Sequence, residues 1–210
     1  MRLTKHGHSC VALEKDGRRI VIDPGVLTAE DATAGAEAIL ITHEHTDHFV
    51  EQVVRDACER DPGMVVYSNA AVADQLGGLG SRLRVVGEGD AFEVAGFSVQ
   101  VHGQWHAVIH PDIPRITNIG YLFDDGAFFH PGDALTVPAT QVDTLLLPVS
   151  APWSKAAELI DWVREVHPAR TLAIHDGILN AAGLGLASRL FGENGPVGIP
   201  YIHLTAGESW

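Results

Sequence analysis

The chain has 210 residues, a length that fits one domain with a sizeable core. Hydrophobic residues make up 46% and charged residues 20% of it, a globular composition that excludes extensive disorder. Its 27 acidic residues outnumber 14 basic ones, giving a formal net charge of -13, and a surface of that sign repels the phosphates of nucleic acids.

The first part of the chain predicts a hairpin, a buried strand and a helix. Two β-branched runs flank Asp16-Gly17 within residues 9–23, which is a strong hairpin signal. The continuous apolar run 36–42 predicts a strand buried on both faces, and it leads directly into a histidine-rich loop. Residues 48–60 then place apolar side chains at helical spacing, and Asp61-Pro62-Gly63 ends that helix.

The remainder predicts many strands and two further helices. Strand-like runs occur at residues 64–68, 83–87, 97–103, 116–124, 127–130, 143–149 and 170–175. Residues 154–166 predict an amphipathic helix with Ser154 as its N-cap. Residues 178–191 predict a last helix, although Gly183 and Gly185 disfavour it. Strands interleaved with a few helices predict an α/β or α+β sandwich with helices on its outer faces.

Cysteine usage and the first residues favour a cytoplasmic protein. Cys10 and Cys58 have no C-x-x-C spacing, which suits a reducing compartment and predicts two buried apolar thiols. The first ten residues carry charge and histidine where a secretory signal needs an apolar run. The apolar stretches are also far shorter than the ~20 residues of a transmembrane helix, so we expect no membrane partner.

The loop at residues 43–48 concentrates side chains that bind metals. His43, His45, Asp47 and His48 form H-x-H-x-D-H at the end of the buried strand. Imidazole and carboxylate are ligands that ions such as zinc bind together. Alternation aims His43 and His45 one way, and a bend lets the other two reach a second point. A solvated polar loop is the alternative, but four ligands in six residues favour two metal positions.

Two metal positions need more ligands than one loop supplies, and three other strand ends offer them. The candidates are His102, His106 and His110 after one strand, His130 and Asp133 after another, and His175 and Asp176 after a third. Side chains at one edge of a sheet sandwich can converge. The sequence therefore predicts one shared site.

These motifs resemble the metallo-β-lactamase-fold hydrolases, and within them the small single-domain group that is similar to L-ascorbate-6-phosphate lactonase. HGHSC, THEHTDH, GQWH, HPGD and IHDG occur in the family's order across nearly the whole chain. The resemblance implies a four-layer αββα sandwich and one hydrolase domain over residues 1–210.

The resemblance also implies a ligand set for two divalent metal ions, with zinc expected first and manganese, nickel or iron as alternatives. The set comprises His43, His45 and His106 for the first ion, Asp47, His48 and His175 for the second, and Asp133 as a bridge between them. Asp47 and Asp133 are the catalytic carboxylates. His102 and His110 remain open as alternatives to His106, or as partners that orient it.

Several residues near these motifs have both a possible functional role and a purely structural one. His8 and His130 match family positions that orient a ligand or touch substrate, and buried histidines bonded to backbone are the alternative. Asp23, in an Asp-Pro-Gly turn, is expected to support a ligand histidine. Arg115 and Lys155 offer positive charge for capturing an anion, or are simple surface charges.

Three further residues of these loops bear on the predicted site. Trp105 and Trp153 are expected to form apolar walls of a pocket. Ala134 stands where the family often has a hydroxyl residue after the bridging aspartate, so a side-chain hydrogen bond is missing there.

The residues and the resemblance together predict a metal-dependent hydrolase that cleaves a small ester, lactone or phosphoester with a bridging hydroxide on a dinuclear centre. A G-x-S-x-G nucleophile elbow does not occur. A nuclease or phosphodiesterase on the same fold is an alternative that the acidic surface disfavours. A non-catalytic metal-binding or sensing protein is another, disfavoured because three ligands per ion leave open positions. We expect a small-molecule substrate and no nucleic acid, and leave a homo-oligomer open.

Overall fold

The computed structural model describes residues 1–210 and contains thirteen strands in two sheets, with four α-helices. The first sheet consists of β1 (Arg2–Gly7), β2 (Cys10–Lys15), β3 (Arg18–Ile22), β4 (Ala38–Ile41), β5 (Val65–Ser68) and β6 (Leu83–Val85), in that spatial order. The second consists of β7 (Ala91–Val94), β8 (Phe97–His102), β9 (Gly120–Phe123), β10 (Phe128–His130), β11 (Thr144–Pro148), β12 (Arg170–Ile174) and β13 (Tyr201–Ile202), also in that order. The helices are α1 (Glu51–Arg60), α2 (Ala70–Gln75), α3 (Ala156–Val166) and α4 (Ala181–Phe191).

Three apolar clusters define four layers, as the α/β sandwich expectation required. The central cluster lies between the sheets and includes Leu40 of the first sheet and Tyr121 and Leu146 of the second. A second cluster packs α1 and α2 on the outer face of the first sheet. A third packs Trp162 of α3 and Phe191 of α4 on the outer face of the second sheet. The order helix, sheet, sheet, helix is the predicted αββα sandwich.

Strand direction explains why polar residues gather at one edge. Strands β3, β4, β5 and β6 are parallel to one another, and so are β10, β11, β12 and β13. Parallel strands end at the same edge of a sheet, which is where ligands bind in such folds. Asp23, His43, Asp133, Ser150 and His175 follow β3, β4, β10, β11 and β12 respectively. Both sheets therefore deliver functional side chains to one edge.

Most of the predicted elements are present. Strands β2 and β3 form the antiparallel hairpin around Asp16-Gly17, where both turn residues have positive φ. Cys10 and Cys58 are buried free thiols, as predicted. The N-cap prediction for α3 is wrong: Lys155 occupies the cap position, and the Ser154 hydroxyl bonds to Ala151 instead.

Four elements were not predicted: β1, β7, α2 and β13. Strand β1 pairs with β2 across a register shift near Gly7, and its other side bonds through Leu3 and Lys5 to the backbone of Trp210 and Glu208. None of the four helices combines the length and the apolar character needed to cross a membrane.

Candidate metal centre

Two groups of histidine and aspartate side chains lie at the shared sheet edge. The first group is His43, His45, His106 and Asp133, and the second is His8, Asp47, His48 and His175. Within each group, one potential ligand atom per residue lies within 4.8 Å of all the others. The structure thus brings together all seven residues expected as ligands, in the expected division. His8 joins them as an eighth.

Asp133 lies between the two groups. Its Oδ1 is 3.1 Å from Nε2 of His48, and its Oδ2 is 3.2 Å from Nε2 of His175 and 3.5 Å from Nε2 of His106. Both oxygens therefore face histidines of the second group, while Oδ2 also faces the first. This is the position that a bridging carboxylate requires.

Hydrogen bonds at Nδ1 fix the orientation of three of these histidines. Nδ1 of His48 contacts Oδ2 of Asp23 at 2.7 Å, and Nδ1 of His175 contacts the Ser150 carbonyl at 2.5 Å. Nδ1 of His106 contacts the carbonyl of Ala107 at 2.6 Å. Since carboxylate and carbonyl oxygens only accept, each Nδ1 carries a proton, and Nε2 is the nitrogen that faces the cluster. Burial would lower the pKa of His175, but the facing Asp133 and Asp47 raise it to about 9, so a metal ion at Nε2 would displace a proton.

The same tautomer follows for His43 from one further step. The Thr42 hydroxyl donates to Oδ2 of Asp23 at 2.7 Å, so its oxygen is free to accept from Nδ1 of His43 at 3.0 Å. Nε2 of His43 then has a lone pair, and it lies 3.2 Å from Nδ1 of His45. Asp23 consequently orients His48 directly and His43 through Thr42. This matches the expectation that Asp23 supports a ligand histidine.

The unpaired polar atoms test whether these residues fit metal ions. Nε2 of His48, His106 and His175 and Oδ1 of Asp133 are buried and have no hydrogen-bond partner. An unpaired buried polar atom costs roughly 1–3 kcal/mol, and a concentration of them in a native fold requires an explanation. A divalent ion in each group would coordinate these atoms. The donor set, imidazoles with carboxylates, is one that zinc and similar ions bind.

The ionisation of the two carboxylates in the cluster favours the binding of cations. Burial alone would raise the pKa of Asp133, but His48, His106 and His175 hold it well below its ordinary value. Burial would likewise raise the pKa of Asp47, and the hydrogen-bonded His175 and His8 lower it. Both carboxylates are therefore ionised at neutral pH. Burial lowers the pKa of His43, with His48 as the next cause, so this imidazole is neutral as a ligand must be.

His8 has the opposite tautomer from its neighbours. Its Nδ1 accepts a hydrogen bond from the Gly177 amide at 3.1 Å, so Nε2 carries the proton and faces Oδ2 of Asp47 at 3.2 Å. A protonated nitrogen has no lone pair for a metal. The geometry therefore assigns His8 to orienting Asp47, one of the two functional interpretations of this residue.

The alternatives to His106 lie outside the two groups. His110 is an exposed side chain beside Asp112, and His102 packs edge-on against Phe129. His130 is fully buried, with Nε2 at 2.9 Å from the Ser9 carbonyl, which is the plainer interpretation offered for it.

The basic candidates are already engaged. Lys155 pairs with Glu158 at 2.8 Å on the surface of α3. Arg115 donates to the His106 carbonyl at 2.5 Å and lies over the Trp105 ring, so it supports the loop that carries His106.

Three contacts to the centre were missed in the sequence. Trp153, expected only as an apolar wall, donates from Nε1 to Oδ2 of Asp133 at 2.7 Å. Asn118 accepts from the Asp133 amide, and its own amide group donates to the Pro131 carbonyl. Lys5 is buried and pairs with Asp176, the residue after His175, at 2.8 Å. Lys5 stands in the polar stretch RLTKH, so the sequence carries no signal for its burial.

Comparison with known proteins agrees with this geometry. A family model described as a beta-lactamase superfamily domain matches residues 2–175. Protein Rv0786c of Mycobacterium tuberculosis is 41% identical over 191 residues, covering 89% of each chain. A UPF0173 metal-dependent hydrolase of Rhizobium etli is 31% identical over 116 residues, covering 51% of this chain and 48% of its own.

A structural comparison gives the same fold. The metallo hydrolase Igni18 of Ignicoccus hospitalis superposes with a TM-score of 0.76 and 18% sequence identity, over 100% of this chain and 97% of that one. The two-sheet sandwich and the superfamily match define the class. This chain belongs to the β-lactamase superfamily and has the metallo-β-lactamase fold.

Proposed function

We propose that this metal-dependent hydrolase of the metallo-β-lactamase superfamily holds two divalent ions and cleaves a small ester, lactone or phosphoester. The observation that carries the proposal is the set of buried imidazole Nε2 atoms that have no hydrogen-bond partner and face Asp133 from both groups. The relative from Rhizobium etli bears the name of a metal-dependent hydrolase, which supports the same reaction class.

We assign His43, His45 and His106 to the first ion and Asp47, His48 and His175 to the second, with Asp133 reaching both. When bound, two such ions supply a bridging water with a pKa lowered toward neutrality and polarise the substrate oxygen. Each ion would have three ligands of its own plus the shared Asp133, and an ion that takes five or six ligands keeps positions open for water, as catalytic sites do.

The exposed members of the groups indicate where substrate arrives. His45 and Asp47 are half-buried, whereas the other six members are buried. Substrate therefore meets the centre on the side of His45 and Asp47. Asp47 is ionised and half-buried, so besides holding an ion it is placed to accept a hydrogen bond from the attacking water and orient it.

Positioning is the role of the buried shell around the ligands. Asp23, the Ser150 carbonyl and Trp153 hold the ligand side chains in place without reaching the substrate. The net reaction adds one water across the scissile bond, leaving an acid and an alcohol or hydroxyl product. A protein nucleophile is not required.

The test is metal reconstitution followed by a substrate screen. Metal-free protein should keep its fold, take up about two zinc or manganese ions per chain, and hydrolyse p-nitrophenyl acetate, a γ-lactone or bis(p-nitrophenyl) phosphate. Asp133→Asn should abolish turnover, while Asp161→Asn, which changes an exposed carboxylate of α3, should not. Failure to bind metal, or full turnover by Asp133→Asn, would refute the proposal.

A further inference from the structure

Large apolar side chains that stay exposed concentrate around the candidate metal centre. Val26, Leu27, Trp105, Val108, Ile113 and Ile178 are each between 40% and 63% exposed. All six lie in loops that follow β3, β8 and β12, at the edge where the ligands gather. Single exposed apolar residues are ordinary, but a group of them around a site indicates a binding surface.

One part of this surface lies beside the second ligand group. The Val26 amide donates to the Thr46 carbonyl at 2.9 Å, which places Val26 against the loop that carries Asp47. The Leu27 side chain is 3.4 Å from where a Cβ on Gly177 would lie, and that point is 3.2 Å from Cβ of His8. Ile178 follows directly. Val26, Leu27 and Ile178 therefore form an apolar flank beside the second group.

The other part lies beside the first group. A small crevice there is lined by His45 and His106 together with Val108 and Ile113. The Ala107 amide donates to the Asp133 carbonyl at 2.8 Å, which fixes this loop against the centre. A substrate at His45 and Asp47 would thus have apolar side chains on both sides.

A groove begins one residue further along the chain. Leu179, the residue after Ile178, lines a groove of about 240 Å³ between α3 and α4, together with Leu159, Leu186 and Phe191. Ser150 also lines it, and the Ser150 carbonyl contacts His175, so one residue separates groove and ligand. Charged side chains are not part of its lining. Whole ligand pockets measure ~300–1,000 Å³, so this groove suits one chain of a ligand.

Positive charge is scarce in the same loops. Arg115 and Lys155 are the two basic residues between the strand ends and the next elements: Arg115 lines the crevice beside His45 and donates to the His106 carbonyl, and Lys155 pairs with Glu158. The loops that carry Val26, Leu27 and Ile178 contain no lysine or arginine. This side of the surface therefore favours contact with an aliphatic chain.

We propose that the natural substrate is a neutral ester or lactone with an aliphatic chain that lies along Val26, Leu27 and Ile178 and enters the α3–α4 groove. This inference rests on the proposed hydrolytic function and names its substrate class. Water adds across the acyl C–O bond, giving a carboxylic acid and an alcohol, or one hydroxy acid from a lactone.

The main test is a chain-length series. For p-nitrophenyl esters from acetyl to octanoyl, kcat/KM of the metal-loaded wild type should rise about twofold per methylene, half of what full burial of each would give. Ile178→Ser and Leu186→Ser should each lower the octanoyl-to-acetyl ratio of kcat/KM several-fold. The matched control is Val197→Ser, which changes a half-buried apolar residue beside His167 at the far end of α3. It should leave the ratio unchanged.

A binding measurement separates this inference from the proposed function. Calorimetric titration of metal-free protein with octanamide should show saturable binding that Leu186→Ser weakens. Octanamide binding without turnover of any ester would refute the proposed hydrolase function but would support the groove as a binding site for an aliphatic chain. Ester turnover that does not depend on chain length, together with no octanamide binding, would support the hydrolase function and overturn the proposed aliphatic substrate. A wild-type dimer in sedimentation that Ile178→Ser dissociates would assign the surface to a second copy and overturn it too.

Discussion

Trp153 donates a hydrogen bond from its indole Nε1 to Oδ2 of Asp133 across 2.7 Å, and the side chain is buried. The bond occupies the oxygen that also faces His106 and His175. Trp153 thus keeps Asp133 from rotating between the two ligand groups.

Trp153→Phe should weaken metal binding about tenfold, because partners that orient a ligand typically contribute 10- to 100-fold in affinity. Competition with a chromophoric chelator measures the change. Trp162→Phe is the matched control, since Trp162 is also buried and donates to a backbone carbonyl, that of Thr136. Equal losses in the two variants would show that packing, not the bond to Asp133, is responsible.

His8→Asn should selectively weaken the ion held by Asp47 and His175. Asparagine tolerates the positive φ of 43° at this position, so the backbone is retained, but it is too short to reach Asp47. Calorimetry with zinc should show one site nearly unchanged and the other weakened about tenfold. Complete loss of the second ion would mean that His8 is itself a ligand.

Lys5→Met should destabilise the metal-free protein by about 3–5 kcal/mol, because it leaves the buried Asp176 carboxylate without its lysine partner. His203 contacts the other oxygen of Asp176 at 2.9 Å and does not replace that charge fully. Urea unfolding measures the loss. The double variant Lys5→Met/Asp176→Leu should recover much of it, and a double variant less stable than Lys5→Met would contradict the explanation.

The stability of the metal-free protein should depend on pH through His130. Burial lowers the pKa of this histidine below its ordinary value of 6.5. As the pH falls below 6.5, the unfolded chain takes up a proton at this position before the folded one does, so the folded state loses stability. Relative to His130→Gln, the wild type should lose up to about 1.4 kcal/mol per pH unit until the folded pKa is reached. Parallel unfolding curves between pH 7.5 and 5 would disprove this.

The fold was largely predictable because its strands are short apolar runs with clear turn signals. The hairpin around Asp16-Gly17 and the buried strand β4 follow from local pattern alone. Strand β1 does not, because its sequence is polar although it pairs with the neighbouring β2. Strand β13 does not either, because its partner is distant in the sequence. Strand β13 is only two residues long and exists because it pairs with β12.

The ligand candidates were predictable because they directly follow strands, whereas their partners were not. His43 and His175 each come at the end of a short apolar run, and this pattern is visible in the sequence. Trp153 and the Ser150 carbonyl contact the centre because of the path of the loop after β11, and no local sequence pattern predicts that path. The choice of His106 over His110 likewise depends on the path of the loop, which turns His110 to solvent.

Asp23 touches neither group as a ligand, yet it determines the tautomers of both His48 and His43. One carboxylate that belongs to neither group therefore couples the two halves of the centre. A substitution at Asp23 should disturb candidate ligands of both ions at once, whereas a substitution at Ser150 or Ala107 would reach one histidine only.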